Sequence, residues 1–369
     1  MTRYIHQIAE WPSFKWDKEH LAHFLAAVRH RQGRLLGRME GLGFSLQAEA
    51  VLQTLTLDVL KSSEIEGEIL NPDQVRSSIA RRLGMDIGGL VQADRNVEGV
   101  VEMMLDATQH YIKAMSDERL FGWHAALFPT GRSSMYKITV GAWRDNSHGP
   151  MQVVSGPLGC ERVHFEAPGA DLLDQEMSKF IEWFNGDMNL DPVLKAGVAH
   201  LWFVTIHPFD DGNGRIARAI TDMQLARADN THQRFYSMSA QIQRERKAYY
   251  DMLEATQKGT LDITAWLEWF LSCLDRALSS TEETLAGVMK KAHFWDKHAV
   301  TPLNERQRLM LNKLLDGFEG KLNTSKWAKI TKTSSDTALR DINDLVDQGI
   351  LVKDSSGGRS TNYLLVEMQ

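Results

Sequence analysis

The amino-acid sequence predicts a mainly α-helical protein with a short β-hairpin flap and a C-terminal winged helix-turn-helix domain. Three observations support this fold class. Apolar residues recur at helical spacing along most of the chain. Residues 128–168 interrupt that period with a segment rich in glycine and turn residues. Residues 301–369 combine three short helical patterns with two strand-like runs around a Gly-Gly turn, as in winged-helix modules.

The helical patterns begin and end at residues that favour helix termini. Asn71-Pro72 is a typical N-cap and first helical position, and Gly67 offers a helix stop. Apart from a charged helical stretch around 281–298, we expect helices at about 17–38, 45–65, 72–84, 91–114, 116–127, 170–186, 191–206, 212–229, 240–257, 261–280, 304–318, 323–331 and 334–348. The aromatic-rich residues 1–20 are expected to form an ordered arm that packs on the body.

The flap is predicted within the glycine-rich segment. The runs KITVGAW (137–143) and MQVVSG (151–156) have extended character, and the turn-forming run RDNSHGP separates them. We therefore expect these two runs to form either a short hairpin or an extended flap.

The chain is predicted to have three parts. Residues 1–90 form an N-terminal helical region, residues 91–298 a catalytic core, and residues 301–369 the winged-helix module. Thr301-Pro302 marks the last boundary.

Composition limits the classes of function. The net charge of −6 argues against a surface coated in positive charge for nucleic acid. Two cysteines, Cys160 and Cys273, without CxxC spacing suit a reducing compartment. No apolar run reaches the roughly 18–20 residues that span a bilayer, and the N-terminus lacks a signal-peptide pattern. We expect a cytoplasmic protein without a membrane partner.

The stretch HPFDDGNGRIAR (residues 207–218, the signature segment) interrupts two helical patterns with polar groups. Gly212, Asn213 and Gly214 can present successive N–H groups at a helix N-terminus, where anions bind. Arg215 and Arg218 are three positions apart and share one helix face. Two guanidinium groups beside such a turn suit a polyphosphate. A solvated turn is the plain alternative.

Two further residues of the signature segment add chemistry. Asp211 supplies a hard oxygen ligand for a metal that bridges phosphates, for which magnesium is the natural ion. His207 can take a proton from an incoming hydroxyl near neutral pH. The chain has no GxxxxGK[ST] motif, so this is not a P-loop. The co-occurrence of these groups favours transfer of a phosphorus-containing group over a solvated turn.

HPFDDGNGRIAR resembles the signature of the Fic family, HPFx[D/E]GNGRxxR, at every defined position. The resemblance implies a helical Fic-type core that uses magnesium and ATP to transfer AMP onto a Ser, Thr or Tyr hydroxyl of a target protein. By motif position it implies that His207 is the general base, that Asp211 binds magnesium, and that Arg215 and Arg218 hold the α/β- and γ-phosphates. Gly212, Asn213 and Gly214 would surround the transferred phosphate.

Other segments extend the resemblance. GAWRDNSHGPMQVVSG is similar to the hairpin that lies over the site in this family and pairs with the target as an added strand. RERKAYYDMLEATQKGTLDITAWLEWFL is similar to the helices that follow the signature. There Tyr249 and Tyr250 are candidates for contact with adenine, and core packing is an equally good interpretation for each.

The stretch KSSEIEGE (61–68) resembles the inhibitory-helix motif of the family, [S/T]xxxE[G/N]. The resemblance implies that Ser62 supports the helix and that Glu66 pairs with Arg218, which blocks the γ-phosphate position in the resting state. A plain helix end is the alternative. In some relatives the same glutamate helps remove AMP, so the reverse reaction is a secondary expectation.

The sequence leaves alternatives open for the function and the partners of the chain. A nucleotide-sensing transcriptional regulator, with the winged helix as its DNA-binding output, is the second hypothesis, and Lys332, Arg340 and Arg359 are its candidate DNA contacts. Protein docking or dimerisation is an equal alternative for this module. Other family members transfer other phosphate-containing groups. The target protein is unidentified, self-modification is compatible with the flap, and the resemblance implies a homodimer.

Overall fold

The computed structural model describes residues 4–85, 91–147, 149–156, 160, 162–186, 189–315, 318, 320–354 and 361–366. This part of the chain is mainly helical, as predicted. It forms two compact units, residues 1–281 and 282–369, and the boundary falls within one long helix. No helix among the described residues has the length and apolar character needed to cross a bilayer.

Among its described residues, the first unit contains ten α-helices and part of an eleventh, two short 3-10 helices and two short antiparallel strand pairs. The helices are α1 Lys18–Glu40, α2 Phe44–Ile65, α3 Pro72–Arg82, α4 Arg95–Gln109, α5 Asp117–Leu127, α6 Leu173–Asn185, α7 Pro192–Ile206, α8 Asn213–Asp229, α9 Met238–Arg244, α10 Arg246–Gln257 and α11 Thr264–Lys297. The strands are β1 Arg132–Ser133, β2 Tyr136–Lys137, β3 Gln152–Ser155 and β4 Arg162–Glu166, with β1 paired to β2 and β3 to β4.

The predicted stop of α2 and start of α3 are confirmed. Gly67 has φ 84° and closes α2 with two hydrogen bonds: the Gly67 N–H donates to Glu64 O and the Glu68 N–H to Ser63 O, both at 3.0 Å. This pair of bonds is a Schellman motif, which favours glycine because it needs a left-handed residue. Asn71 caps α3 through its side chain, and Pro72 is the first helical residue.

The core of the first unit is built on α7 and α8. Every residue from Val193 to Ile206 is buried, so α7 is apolar all round, as expected for a central helix. Most of α8 is buried too, including Asn213, Arg215 and Arg218. The signature segment therefore connects two interior helices rather than two surface helices.

The described part of the N-terminal arm, from Tyr4 onward, packs on the body, as predicted. Trp11 and Phe14 make edge-to-face contacts with Trp202 of α7, at ring-centroid distances of 6.3 and 5.8 Å. The Lys15 N–H donates to Leu261 O at 2.8 Å, which ties the arm to the segment before α11.

The predicted strand pairing of the flap was wrong. MQVVSG forms β3, but its partner is β4, not KITVGAW. The backbone donors of the 137–144 region bind elsewhere: the Thr139 N–H donates to Asp210 Oδ2 (2.8 Å), the Gly141 N–H to His124 Nδ1 (3.3 Å) and the Arg144 N–H to Pro208 O (2.9 Å). These donors are thus unavailable for a strand ladder.

Two helix predictions also needed correction. The helix expected at 240–257 is two helices, α9 and α10, which meet at Glu245, a residue with φ −108° and ψ 24°. The helix expected to end near 280 continues without interruption to Lys297 as α11.

The second unit contains the end of α11, then α12 Glu305–Leu315, α13 Thr324–Thr331, α14 Ser335–Asp347, and strands β5 Leu351–Lys353 and β6 Tyr363–Leu365. The two strands are antiparallel. Its core includes the buried side chains of Met310, Trp327 and Ile342. Three helices followed by two strands is the predicted order, and a winged-helix domain stays the prediction for it. Arg359, a candidate DNA contact, lies outside the described residues.

Candidate functional site

The signature segment forms a tight turn between α7 and α8. Its first residue, His207, has left-handed backbone angles (φ 53°, ψ 58°), and Gly212 (φ 80°) precedes the first residue of α8. Asn213 fixes the turn from within, because its side chain accepts the Phe209 N–H (3.0 Å) and donates to Phe209 O (2.8 Å). Phe209 is fully buried and stacks on His124. The polar groups are thus carried on a rigid loop.

His207 has the state required of a base. Its Nδ1 lies 3.2 Å from Val204 O. A carbonyl oxygen only accepts, so Nδ1 carries the proton and Nε2 keeps its lone pair. Burial lowers the pKa of His207, and the nearby Arg144 lowers it further, while the Val204 carbonyl and the carboxylates of Glu66 and Asp211 oppose these effects. The imidazole is therefore neutral at neutral pH.

Arg144 holds the backbone of His207. Its Nε donates to His207 O at 2.8 Å and its Nη2 to Pro168 O at 2.6 Å, and the side chain is almost fully buried. Burial lowers the pKa of this guanidinium. Arg144 was not identified from the sequence, where it lies in the turn of the predicted flap. Only the fold shows that it is buried beside His207.

Asp211 is the residue that could hold a metal. Its Oδ1 accepts the Gly212 N–H at 2.6 Å, and its Oδ2 accepts the hydroxyl of Ser133 in β1. The described residues contain no cluster of three or more His, Cys, Asp or Glu side chains suited to a metal. Magnesium commonly takes one or two carboxylates and completes its shell with phosphates and water. A single carboxylate beside a phosphate site fits that pattern.

Arg218 is buried and is bound by the end of α2. Its Nε donates to Ser62 Oγ (2.9 Å), and its Nη2 donates to Ser62 O and to Glu66 Oε1, both at 2.8 Å. The carboxylate of Glu66 raises the pKa of Arg218 against the opposing effect of burial. The remaining nitrogen, Nη1, is buried and has no hydrogen-bond partner among the described residues. An unpaired donor of this kind is suited to an anion.

Arg215 is also buried and is bound by a second carboxylate. Its Nη1 donates to Glu68 Oε2 at 2.6 Å, and its guanidinium carbon lies 5.1 Å from the centroid of the Phe128 ring. Its Nε is buried without a hydrogen-bond partner among the described residues. Glu68 was not identified from the sequence, although it is the last residue of the KSSEIEGE stretch.

Glu66 lies directly against the glycine turn. A Cβ built on Gly214 would come within 2.1 Å of Glu66 Oε1 and 3.2 Å of Arg218 Nη1. The carboxylate therefore occupies the space over the first turn of α8, where an anion would meet the helix N-terminus.

The end of α2 is also anchored by contacts with α9 and α10. Arg246 of α10 donates to Ile65 O at 2.8 Å, and Gln243 of α9 donates to Glu64 Oε1 at 2.8 Å. Further back, the buried Asp58 accepts the Ser237 hydroxyl and the Ser239 N–H. These contacts fix the helix end from which Glu66 extends.

The two tyrosines differ in their surroundings. Tyr249 is 2% exposed, and its hydroxyl lies 2.8 Å from Nε2 of the buried His200, so it packs in the core. Tyr250 is partly buried beneath the guanidinium of Arg246, 5.5 Å from the ring centroid. Contact of either ring with adenine stays a prediction.

The fold thus brings most of the predicted site residues together. These are His207, Asp211, Gly212, Asn213, Gly214, Arg215 and Arg218 of the signature segment and Ser62 and Glu66 of α2. Glu68, Arg144 and Ser133 join them without having been predicted. The arrangement is a loop and helix N-terminus whose two arginines are occupied by carboxylates of the same chain.

Comparison with known proteins gives the family of this site. The model of the Fic/DOC family matches residues 114–225, and a domain of unknown function, DUF4172, matches residues 4–85. The chain therefore contains a Fic/DOC family domain, which includes the signature segment and the flap.

Individual relatives agree. The chain is 34% identical over 113 residues to a protein adenylyltransferase Fic of Culex quinquefasciatus, and 28% identical over 225 residues to one of Drosophila mojavensis. These matches cover 30% and 60% of this chain but 21% and 40% of the relatives, so the chain spans less than half of their length. A Fic family protein of Desulfovibrio desulfuricans G20 shares the fold, with a TM-score of 0.54 at 19% identity, over 94% of this chain and 97% of that one.

Proposed function

We propose that this chain is a protein adenylyltransferase that its own inhibitory segment, residues 62–68, holds inactive. The observation that carries the proposal is the ion pair between Glu66 and the buried Arg218, which lies over the glycine turn. The curated relatives described above are named protein adenylyltransferase. These names support AMP as the transferred group and ATP as its donor. They do not favour the alternative of a DNA-binding nucleotide sensor.

In the proposed reaction His207 acts as the general base. The target hydroxyl gives its proton to Nε2, and its oxygen attacks the α-phosphorus of ATP. The bond from that phosphorus to the α–β bridging oxygen breaks, and pyrophosphate leaves. Two observations support this role: Nδ1 carries the proton, and the lowered pKa keeps the imidazole neutral. The N–H groups at the start of α8 would stabilise the charge that develops on the transferred phosphate.

A magnesium ion, when bound, would neutralise phosphate charge and favour departure of pyrophosphate. Asp211 is the residue that would hold it. Its carboxylate faces the hydroxyl of Ser133 on β1, so β1 would orient the ligand oxygen as a supporting contact.

Inhibition follows from competition for Arg218. A nucleotide whose γ-phosphate cannot reach this guanidinium binds with its α-phosphate out of line for attack. Ser62 supports the pair, since it accepts from Arg218 through both its hydroxyl and its carbonyl. Displacement of Glu66 would free the arginine for the nucleotide.

The target would be a protein segment bearing a hydroxyl. The β3–β4 hairpin is a two-stranded sheet, which leaves strand edges suited to pairing with an added segment. A neighbouring copy of this chain is one source of such a segment, so self-modification within a homodimer belongs to the proposal.

The test is intact-mass measurement after incubation with magnesium and each nucleoside triphosphate. We expect Glu66→Gly to gain the mass of AMP from ATP, by at least about tenfold over the wild type, because an unblocked guanidinium restores phosphate alignment. The double variant Glu66→Gly/His207→Ala should gain none. Equal labelling of the wild type and Glu66→Gly would refute the inhibitory role of Glu66.

A further inference from the structure

We infer that Glu68 is a second competitor for the nucleotide: its carboxylate occupies Arg215, as that of Glu66 occupies Arg218. Glu68 would thus oppose the α/β-diphosphate, whereas Glu66 opposes the γ-phosphate. The inference rests on the proposed function, since it concerns the same nucleotide site. It adds a residue outside the inhibitory motif and names the part of the ligand that the residue opposes.

The first support is the geometry of the pair. The Arg215 Nη1 to Glu68 Oε2 distance is 2.6 Å, shorter than the 2.8 Å between Arg218 and Glu66. The Arg215 side chain is 7% exposed and that of Glu68 is 34% exposed. The guanidinium is therefore held in a dry setting, where loss of a carboxylate without a replacement anion is costly. A phosphate oxygen can replace that carboxylate.

The second support is the local backbone that places both glutamates. Glu66 and Glu68 flank Gly67, whose left-handed conformation closes α2. The Glu68 N–H is itself a bond of that closure, to Ser63 O at 3.0 Å. The position of Glu68 is therefore fixed by the end of the helix rather than by a free loop.

The third support is charge balance. Two arginines on one face of α8 meet two carboxylates from one helix end, each pair with its own hydrogen bond. Each guanidinium also retains a buried nitrogen without a partner among the described residues, Nε in Arg215 and Nη1 in Arg218. Two adjacent anionic groups can use these donors, one at each arginine.

These observations predict how affinity depends on the ligand. A nucleotide with α- and β-phosphates must displace Glu68 from Arg215, and one with a γ-phosphate must also displace Glu66 from Arg218. A ligand without phosphate displaces neither. Removal of the Glu68 charge should therefore strengthen binding of ADP and leave binding of adenosine unchanged. The effect should add to that of Glu66, because the two glutamates contact different arginines.

The experiment is isothermal titration of the full-length chain with ADP and with adenosine. The variants are Glu68→Gln, Glu66→Gly, their combination, and Glu49→Gln. Glu49 is the matched control, since it lies on α2 and is as exposed as Glu68 (35% against 34%) but pairs with Arg76 of α3. We expect Glu68→Gln to lower the Kd for ADP about fivefold, the size typical of a partly exposed ion pair. The combination should bind ADP about fivefold more tightly than Glu66→Gly, and Glu49→Gln should match the wild type.

Three results would overturn the inference. In the first, Glu68→Gln binds ADP only as tightly as the wild type does. In the second, Glu68→Gln strengthens adenosine binding to the same extent, which indicates a general opening of the site. In the third, no variant binds ADP. By contrast, tighter ADP binding by Glu68→Gln together with no AMP transfer by Glu66→Gly would remove the proposed function and leave the competition by Glu68 established.

Discussion

Replacement of Arg144 by alanine should destabilise the first unit and disturb the turn that carries His207. Arg144 donates to two carbonyl oxygens, those of His207 and Pro168, through separate nitrogens. It is 4% exposed. The alanine variant therefore leaves two carbonyl groups without their donors in a nearly dry environment.

The magnitude follows from those two bonds. A hydrogen bond to a charged group contributes about 1.5–3 kcal/mol to stability. Two such bonds give about 3–6 kcal/mol, and water can enter part of the space left by the guanidinium. We therefore expect the free energy of unfolding to fall by about 3 kcal/mol. Arg144→Lys keeps the charge but offers no planar fork for both carbonyls, so it should recover only part of the loss.

The assay is urea denaturation followed by circular dichroism, with hydrogen exchange of the 203–213 region as a local readout. Arg162→Ala is the matched control, because this arginine lies on the same flap, is 69% exposed and makes one ion pair, with Glu254. We expect that control to change the unfolding free energy by less than about 1 kcal/mol. Equal unfolding midpoints for Arg144→Ala and Arg162→Ala, with unchanged exchange near His207, would refute the role of Arg144.

Two further predictions concern stability. Gly99→Ala should lower the free energy of unfolding by about 2 kcal/mol although alanine favours helices, because the new Cβ would lie 1.8 Å from Ala126 O. Gly37→Ala meets nothing within 4 Å and should raise the free energy of unfolding by about 0.5–1 kcal/mol. Thermal unfolding compares the two variants, and similar melting points would contradict the packing argument. Burial lowers the pKa of His124 to about 4 and that of His200 to about 3, so the unfolded chain binds protons first as the pH falls below about 6.5. The free energy of unfolding should be highest above that pH and fall by at least about 2 kcal/mol by pH 5. Urea midpoints that stay constant from pH 7 to pH 5 would contradict this prediction.

The helices could be predicted because their signals are local. Amphipathic spacing, the Asn71-Pro72 start and the Gly67 stop all lie within the elements that they define, and the structure confirms them. The single helix expected at 240–257 failed because a helical pattern does not show a break at one residue, Glu245, whose backbone angles leave the helical region.

The pairing of the flap could not be predicted because its determinants are distant in sequence. The residues at 139, 141 and 144 give their N–H groups to Asp210, His124 and Pro208. These partners are adjacent only once α5 and the signature segment have packed. Extended character in the 137–143 run was therefore insufficient to specify a strand partner.

The site residues likewise fall into two groups, those that lie together in the sequence and those that only the fold brings together. The signature segment supplies most of its groups within twelve residues, so their proximity was already contained in the sequence. The contacts of Glu68 and Arg144 span 147 and 63 residues, and they depend on how α2 and the flap pack against the signature segment. The buried Tyr249 hydroxyl meets His200, which is 49 residues away in the sequence.

The contacts of Ser62 explain why removal of Glu66 should activate the site rather than disorder it. Ser62 accepts from Nε and Nη2 of Arg218 independently of the carboxylate. Loss of Glu66 would therefore leave the guanidinium oriented by two hydrogen bonds, with Nη1 still without a partner among the described residues. An oriented guanidinium group loses little conformational freedom when a phosphate binds, because its geometry is already set. Under the proposed function, the helix end that occupies Arg218 would thus also keep it in position for the nucleotide.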